Sequence, residues 1–110
     1  MKNDISTKAD FERETAGAGK LVLFYSEYCP FCRAFLPVFE EAAAAAPARY
    51  AGLRTDVLPE LEDEFAVEVV PTVLFFADGR LVSRLDGRLG RGLSASEFKD
   101  FADKCTGGKI

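Results

Sequence analysis

Two of the three cysteines in this chain of 110 residues lie close together, in the stretch "SEYCPFCRAFLPVF". Cys29 and Cys32 are separated by Pro30 and Phe31; they follow an apolar run and precede a segment with helical periodicity. Such a pair could bind a metal ion, form a structural disulfide, or cycle between a dithiol and a disulfide. The chain contains no histidine. Catalysis by Cys/His or Ser/His pairs is therefore excluded, and only thiols and carboxylates remain as metal ligands.

The number and spacing of the cysteines favour the redox interpretation. A zinc or iron-sulfur site usually takes four ligands, but the chain offers one CxxC motif and the distant Cys105. A structural disulfide within one helical turn would close too small a loop to stabilise the fold appreciably. A CxxC that follows a strand and opens a helix is typical of a redox couple in a cytosolic protein. We therefore expect no metal and a redox-active disulfide between Cys29 and Cys32.

The position of the motif at a helix start predicts different roles for the two thiols. If Cys29 is the N-cap residue, its sulfur lies where the amides of Phe31 and Cys32 can donate hydrogen bonds to it. Those donors and the helix dipole would stabilise a thiolate at Cys29. Cys32, one turn later, would be within reach of Cys29 but shielded. We expect Cys29 to attack a disulfide and Cys32 to resolve the mixed disulfide.

Length, charge and hydropathy limit the possible functions. A chain of this length forms one domain, residues 1–110, that needs no disulfide or metal for its core. The net charge of -4 and the lack of a basic stripe argue against nucleic acid as a partner. No apolar run approaches the roughly 20 residues that span a bilayer, and "MKNDISTKAD" has no apolar leader segment. We expect a cytoplasmic monomer that does not contact membranes.

Helix-like and strand-like segments alternate along the chain. Thr7 with Asp10 predicts a helix over 8–16, and "LVLFY" at 21–25 predicts a strand buried on both faces. The remaining predicted elements are a helix over 30–46, a strand over 50–56, a short helix around 58–65, a hairpin about Asp78-Gly79 and a last helix over 94–105. Ser94 with Glu97 predicts the start of that last helix. This order predicts an α/β fold, in which about four helices cover both faces of a mixed sheet of four to five strands.

Two longer stretches, "LVLFYSEYCPFCRAFLPVF" and "VEVVPTVLFFADGRLVSRLDGRLG", resemble the thioredoxin family over nearly the whole chain. The cysteine pair, Pro37 within the helix and "VVPT" at 69–72 match the family in kind and order. The resemblance implies a thioredoxin fold and thiol-disulfide exchange without a bound cofactor. It also implies a flavoprotein thioredoxin reductase as electron donor and disulfide-containing proteins as targets. The CPFC sequence is most similar to atypical thioredoxins sometimes called desulfothioredoxins.

The resemblance further implies which residues bind the substrate: Tyr28, Pro30, Phe31, Val70, Pro71 and Gly87. Pro71 matches a cis-proline that faces the cysteines, and the backbone of Val70 matches a position that pairs with an extended substrate segment. Gly87 matches a glycine that lets the substrate approach. Tyr28 occupies the place of a usual tryptophan, so we expect it to form an apolar rim with a polar tip.

The residues between the cysteines depart from the family pattern. Most thioredoxins carry glycine and then proline there, whereas this chain carries Pro30 and then Phe31. A proline at the second helical position deletes an amide that could reach the sulfur of Cys29, but Pro30 at the first position deletes none that matters. We therefore hypothesise that the Cys29 thiolate is better stabilised and the couple more oxidising than the value of about -270 mV for thioredoxin.

A second departure concerns proton transfer to and from the resolving thiol. Most thioredoxins place a buried aspartate beneath the cysteines and a lysine across from it, but Leu23 and Gly52 occupy these positions here. The sequence therefore contains no recognisable internal base for Cys32. We expect Cys32 to lose its proton to water or to a group of the partner protein.

Two other interpretations stay open at this point. Proline followed by an aromatic residue between the cysteines is also the habit of glutaredoxins, which would make the chain a glutathione-linked exchanger. Alternatively, the chain is a thioredoxin-fold binding module that is redox-inactive or holds an iron-sulfur cluster between two copies. Cys105 is a separate case, because it continues an apolar helical stripe with Phe98 and Phe101 and is expected to be a buried small hydrophobe.

Overall fold

The computed structural model describes residues 4–106, in which strands and helices alternate. The strands are β1 (Asp4–Ile5), β2 (Lys20–Tyr25), β3 (Tyr50–Arg54), β4 (Thr72–Ala77) and β5 (Arg80–Leu85). The helices are α1 (Lys8–Thr15), α2 (Pro30–Ala45), α3 (Pro59–Glu64) and α4 (Ala95–Thr106). Residues 1–3 and 107–110 of the predicted domain lie outside the described range.

The strands form one mixed sheet in the order β1-β3-β2-β4-β5. The first three strands are parallel to one another, whereas β4 runs antiparallel to both β2 and β5. Phe24 near the end of β2 pairs with Thr72 at the start of β4. The segment that leaves β2 and the segment that enters β4 therefore meet at the same edge of the sheet. The cysteines follow the first segment, and Pro71 ends the second.

Helices cover both faces of the sheet, as predicted. On one face, α1 and α3 contribute Phe11 and Leu61 to a buried cluster. On the other face, α2 and α4 contribute Phe35, Phe39 and Phe98. The rings of Phe35 and Phe98 pack edge to face with their centroids 5.3 Å apart. These contacts hold α2 against the sheet and so determine where the cysteines at its first turn are placed.

The helix starts and the hairpin that short sequence motifs predicted are present in the structure. Thr7 Oγ1 accepts a hydrogen bond from the amide of Asp10 at 3.0 Å. Glu97 Oε1 accepts a bond from the amide of Ser94 at 3.0 Å, and Ser94 Oγ accepts one from the amide of Glu97 at 3.1 Å. Asp78 and Gly79 connect β4 to β5 with φ angles of 55° and 79°. The predicted helix starts and hairpin are thus confirmed.

The strand β1 was not predicted from the sequence. It has only two residues, Asp4 and Ile5, which pair in parallel with Gly52 and Leu53 of β3. Tyr25 Oη also donates a hydrogen bond to Asp4 Oδ2 at 2.7 Å, which ties this strand to the centre of the sheet. Two residues give no periodicity, so only long-range pairing defines this element. Within residues 4–106, no helix has the length and apolarity needed to cross a membrane.

Candidate active site

Cys29 lies at the N-cap of α2, as the sequence predicted. Its backbone is extended, with φ -98° and ψ 120°, and Pro30 occupies the first helical position. The carbonyl of Cys29 accepts the first helical hydrogen bond, from the amide of Arg33 at 3.0 Å. The amide of Cys29 donates to the carbonyl of Ser26 at 3.3 Å, which closes a turn between β2 and the helix. The thiol is half-buried at the end of this turn.

The hydrogen bonds from the helix amides that were predicted for a Cys29 thiolate are not made by the thiol seen in this structure. The side chain of Cys29 makes no capping hydrogen bond. Its Sγ instead donates to the carbonyl oxygen of Val70 at 3.7 Å. A thiol carries a proton and is a weak acceptor, so it turns toward a carbonyl rather than toward amide donors. Only a thiolate, which has no proton to donate, would favour the amides.

Cys32 is the shielded member of the pair, with no exposed surface. Its Sγ accepts a hydrogen bond from the amide of Ser26 at 3.5 Å. Burial raises the pKa of the Cys32 thiol to about 12, and the neighbouring Cys29 contributes to the rise, while the Ser26 amide opposes it. Both cysteines are free thiols in this structure. The site thus combines one half-buried thiol with one buried thiol that holds its proton at neutral pH.

The Val70-Pro71 peptide bond is cis, and the Val70 carbonyl in that bond accepts the hydrogen bond from the Cys29 thiol. Gly87 is packed against this proline, because a Cβ atom on Gly87 would come within 2.1 Å of the Pro71 carbonyl oxygen. Thr72 holds Gly87 close to Pro71. Its hydroxyl accepts a hydrogen bond from the Gly87 amide at 3.1 Å and donates one to the Val69 carbonyl at 2.6 Å. The sequence reasoning did not single out Thr72, although it follows the proline in "VVPT".

The remaining predicted substrate-binding residues are the neighbours of Cys29 in the chain, and all three are exposed. Tyr28 is 79% exposed, and its amide donates to Ser26 Oγ at 3.2 Å. Pro30 is exposed as well, and Phe31 is exposed in part. Tyr28, Pro30 and Phe31 are therefore accessible at the start of α2, and their role as a rim stays a prediction.

Gly92 is a second residue that the sequence reasoning missed. A Cβ atom at this position would lie 2.9 Å from Phe31 Cβ, and Gly92 has a φ angle of 76°. Both the close approach and the backbone conformation favour glycine here. The stretch "GRLGRG" predicted a turn, but its contact with Phe31 joins positions 61 residues apart in the sequence, which no local pattern reveals.

The two positions that usually carry the internal base and its lysine lie side by side. Leu23 pairs with Gly52 in the β2–β3 register. Leu23 has no exposed surface and belongs to the same apolar cluster as Cys32. Neither residue can accept or donate a proton, so this part of the core offers the Cys32 thiol no internal base.

The other cysteine and the acidic residues do not extend the site. Cys105 is half-buried at the end of α4, where it packs against the cluster on the α2 face of the sheet, and burial raises the pKa of its thiol. Within residues 4–106, no group of three or more His, Cys, Asp or Glu residues could hold a metal ion.

A mixed sheet with a CxxC at the start of a helix and a cis-proline facing it defines the class of thioredoxin-fold proteins. The chain belongs to the thioredoxin family, since the sequence model of that family, described as Thioredoxin, matches residues 3–103. Membership is consistent with a thiol-disulfide oxidoreductase whose redox-active residues are Cys29 and Cys32. The comparisons favour neither a glutaredoxin-like exchanger nor a redox-inactive or iron-sulfur module.

Individual relatives agree with this assignment. A thioredoxin of Mycobacterium tuberculosis (strain H37Rv) is 34% identical over 98 residues, which cover 86% of this chain and 84% of the relative. A bifunctional thioredoxin reductase/thioredoxin of Mycobacterium leprae is 33% identical over 101 residues, 88% of this chain and 21% of that protein. The solved structure of a mutant thioredoxin from Halobacterium salinarum superposes with a TM-score of 0.80 at 26% identity, covering 94% of this chain and 88% of the other.

Proposed function

We propose that this protein reduces disulfide bonds of target proteins, with Cys29 as the nucleophile and Cys32 as the resolving thiol. The observation that carries the proposal is the asymmetry of the pair. Cys29 is half-buried and contacts Val70, whereas Cys32 is fully buried and holds its proton. Only the first thiol can reach a sulfur of another protein.

The reaction proceeds in two displacements. The Cys29 thiolate attacks one sulfur of the target disulfide, so that a bond forms between Cys29 and that sulfur and the target disulfide breaks. The released target thiolate takes up a proton. The deprotonated Cys32 then attacks Cys29 Sγ, which forms the Cys29-Cys32 disulfide and releases the second target thiolate. Two electrons pass from the pair to the target, and no bound cofactor takes part.

The surface around the thiols supports binding of an extended segment. The backbone of Val70 would pair with it as a strand would, and Gly87, packed against the Pro71 carbonyl, has no side chain that would block its approach. Tyr28, Pro30 and Phe31 would contact its apolar side chains. These six residues form the proposed substrate site.

Proton removal from Cys32 is the step for which the chain offers least assistance. The pKa of Cys32 is raised by burial, and Leu23 replaces the usual carboxylate beneath it. The Ser26 amide donates to the Cys32 sulfur and so stabilises a thiolate there, but it cannot take up the proton. We propose that water, or a group of the target protein, removes this proton.

The finer assignment to the CPFC-type thioredoxins, with a more oxidising couple, is also part of the proposal. It is supported by Pro30 at the first helical position, which leaves the amides of Phe31 and Cys32 as donors once Cys29 is a thiolate. A better stabilised reduced form raises the reduction potential. The hydrogen bond from the Cys29 thiol to Val70 is lost in the thiolate and therefore opposes ionisation of Cys29.

A flavoprotein thioredoxin reductase is the proposed electron donor. The chain is similar to part of a protein whose name combines thioredoxin reductase and thioredoxin. Fusion of the two activities in that relative supports a reductase as the partner that restores the dithiol here.

The proposal is tested by reduction of insulin disulfides with dithiothreitol as electron source. The wild-type protein should accelerate the reaction, and Cys29→Ser should abolish the acceleration. Cys32→Ser should retain the first displacement and accumulate a mixed disulfide, which mass spectrometry would locate at Cys29. Cys105→Ser serves as the matched control and should behave as wild type. Unchanged activity in Cys29→Ser would refute the assignment.

A further inference from the structure

The loop between β5 and α4 is closed by its own backbone. The amide of Arg88 donates to the Gly92 carbonyl at 3.1 Å, and the amide of Gly92 donates back to the Arg88 carbonyl at 2.8 Å. A third bond joins the Arg91 amide to the Arg88 carbonyl at 2.9 Å. Gly90 and Gly92 both have φ angles of 76°, which suit so tight a turn. Residues 88–92 therefore form a preorganised loop.

Both ends of this loop are packed against the walls of the thiol site. Gly87, immediately before it, is so close to Pro71 that a Cβ atom would lie 2.1 Å from the proline carbonyl oxygen. Gly92, at its end, is so close to Phe31 that a Cβ atom would lie 2.9 Å from Phe31 Cβ. Phe31 is two residues after Cys29, and Pro71 follows Val70, whose carbonyl accepts the hydrogen bond from the Cys29 thiol. The loop thus connects two residues that lie next to the nucleophile in the chain or through Val70.

The loop presents an apolar tip with two cations. Leu89 is 89% exposed and follows Arg88 within the turn. The side chains of Arg88 and Arg91 are 63% and 60% exposed, and their guanidinium groups lie 3.9 Å and 3.4 Å from the same oxygen of Glu97. One carboxylate faces two guanidinium groups, so this surface keeps a net positive charge.

The charge on the other side of the thiol site has the opposite sign. There Arg54 lies between two carboxylates, 2.6 Å from Asp56 and 3.7 Å from Glu27. Arg54 belongs to β3 on one side of β2, whereas the loop follows β5 on the other side. A bound segment therefore meets a negative group of side chains on the β3 side and a positive one on the β5 side.

The geometry points to residues 88–92 as a specificity-determining surface that binds a target segment carrying an acidic residue and an apolar residue next to the attacked cysteine. This inference rests on the proposed function and adds the class of target. The target carboxylate pairs with Arg88 and Arg91, and the apolar side chain contacts Leu89. Glu97 competes with the target for the two arginines. Removing its charge should therefore strengthen the preference for acidic targets.

The test uses synthetic cyclic peptides, each with one intramolecular disulfide and an apolar flanking residue, which differ only in a neighbouring Asp, Asn or Lys. We expect the kcat/KM of the wild type to be about fivefold higher for the Asp peptide than for the Asn peptide. This ratio corresponds to the interaction free energy of one exposed ion pair. The ratio should fall toward one at high salt. The double variant Arg88→Gln/Arg91→Gln should lose the preference, and Leu89→Ser should slow all three peptides.

Two further variants make the test specific. Glu97→Gln keeps an oxygen that can accept the bond from the Ser94 amide, so the start of α4 stays capped while the competing charge disappears. This variant should raise the Asp/Asn ratio above that of wild type. Arg80→Gln removes an exposed arginine at the hairpin, at the end of β4 and β5 remote from Pro71, and should leave the ratio unchanged.

The outcomes separate this inference from the proposed function. Reduction of all three peptides at equal rates would overturn the inference while the proposed function stands. A preference for the Asp peptide that persists in Arg88→Gln/Arg91→Gln would overturn it as well, because other residues would then bind the carboxylate of the target. If wild type reduces none of the peptides and no insulin, the proposed function fails and the inference fails with it.

Discussion

Replacing Leu23 with an acid tests whether the missing internal base limits the second displacement. Leu23 lies in the central strand with no exposed surface and shares an apolar cluster with Cys32. We predict that Leu23→Asp accelerates formation of the Cys29-Cys32 disulfide from the mixed disulfide at pH 7 by at least about tenfold. General-base catalysis typically contributes about 10²- to 10⁴-fold, so this is a conservative figure.

The matched control is Leu23→Asn, which has nearly the same shape as Leu23→Asp but cannot take up a proton. Both variants lose the apolar contacts of a fully buried leucine, which should lower the free energy of unfolding by about 2 to 5 kcal/mol. The free energy of unfolding of a domain of this size is about 5 to 15 kcal/mol, so both variants should remain folded. Any difference in rate between the two variants then reports the carboxylate and not the altered packing.

The pH dependence of stability provides an independent check on the introduced carboxyl. Burial should raise its pKa in the folded state above the unfolded value of about 4. Between these two pKa values the folded protein binds more protons than the unfolded protein. The stability of Leu23→Asp should therefore be greatest below about pH 4 and should fall as the pH rises toward the pKa of the folded state. Leu23→Asn should lack this additional fall.

The assay is acid-quenched rapid mixing of the reduced protein with a disulfide peptide. Mass spectrometry then separates the mixed disulfide from the intramolecular disulfide at each time point. Equal rates of intramolecular disulfide formation in Leu23→Asp and Leu23→Asn would refute the argument that a base beneath Cys32 is lacking.

Three further predictions concern the resolving thiol, the glycine beside Pro71 and the aromatic core. Because the pKa of Cys32 is raised to about 12, the rate of the resolving step in the wild type should rise about tenfold per pH unit from pH 6 to 8. A resolving rate that does not change with pH in quenched-flow measurements would contradict deprotonation without an internal base. Gly87→Ala should slow insulin reduction and destabilise the fold by about 1 to 3 kcal/mol or more in urea titrations, because its Cβ would overlap the Pro71 carbonyl; wild-type activity would refute the close approach. Phe98→Ala should cost about 3 to 5 kcal/mol through lost contacts with Phe35, and a urea midpoint equal to that of wild type would contradict the packing.

Local signals in the sequence were enough to predict the elements that position the site. The pairs Thr7 with Asp10 and Ser94 with Glu97 each join an amide to a side chain three residues away, so a short window contains the whole interaction. The hairpin at Asp78-Gly79 is equally local. The two-residue strand β1 was missed because its definition is its pairing with β3, which lies far along the chain.

Within the site, position was more predictable than detailed contacts. The sequence placed Cys29 at the helix start and indicated that Cys32 is shielded, since both follow from the strand-CxxC-helix order. It did not predict that the Cys29 thiol would donate to Val70, a residue brought near by the fold. The contact of Gly92 with Phe31 was invisible for the same reason.

The midpoint potential of the Cys29/Cys32 pair is the most direct test of the proposed redox couple. It would be measured by glutathione titration of the Cys105→Ser variant at neutral pH, with the dithiol and disulfide forms quantified by mass spectrometry. We predict a two-electron transition at a potential above about -270 mV, where each 29.6 mV corresponds to about a tenfold change in the equilibrium constant. A potential at or below about -270 mV would contradict the more oxidising couple, and a pair that forms no disulfide even in oxidised glutathione alone would contradict the assignment of Cys29 and Cys32 as a redox couple.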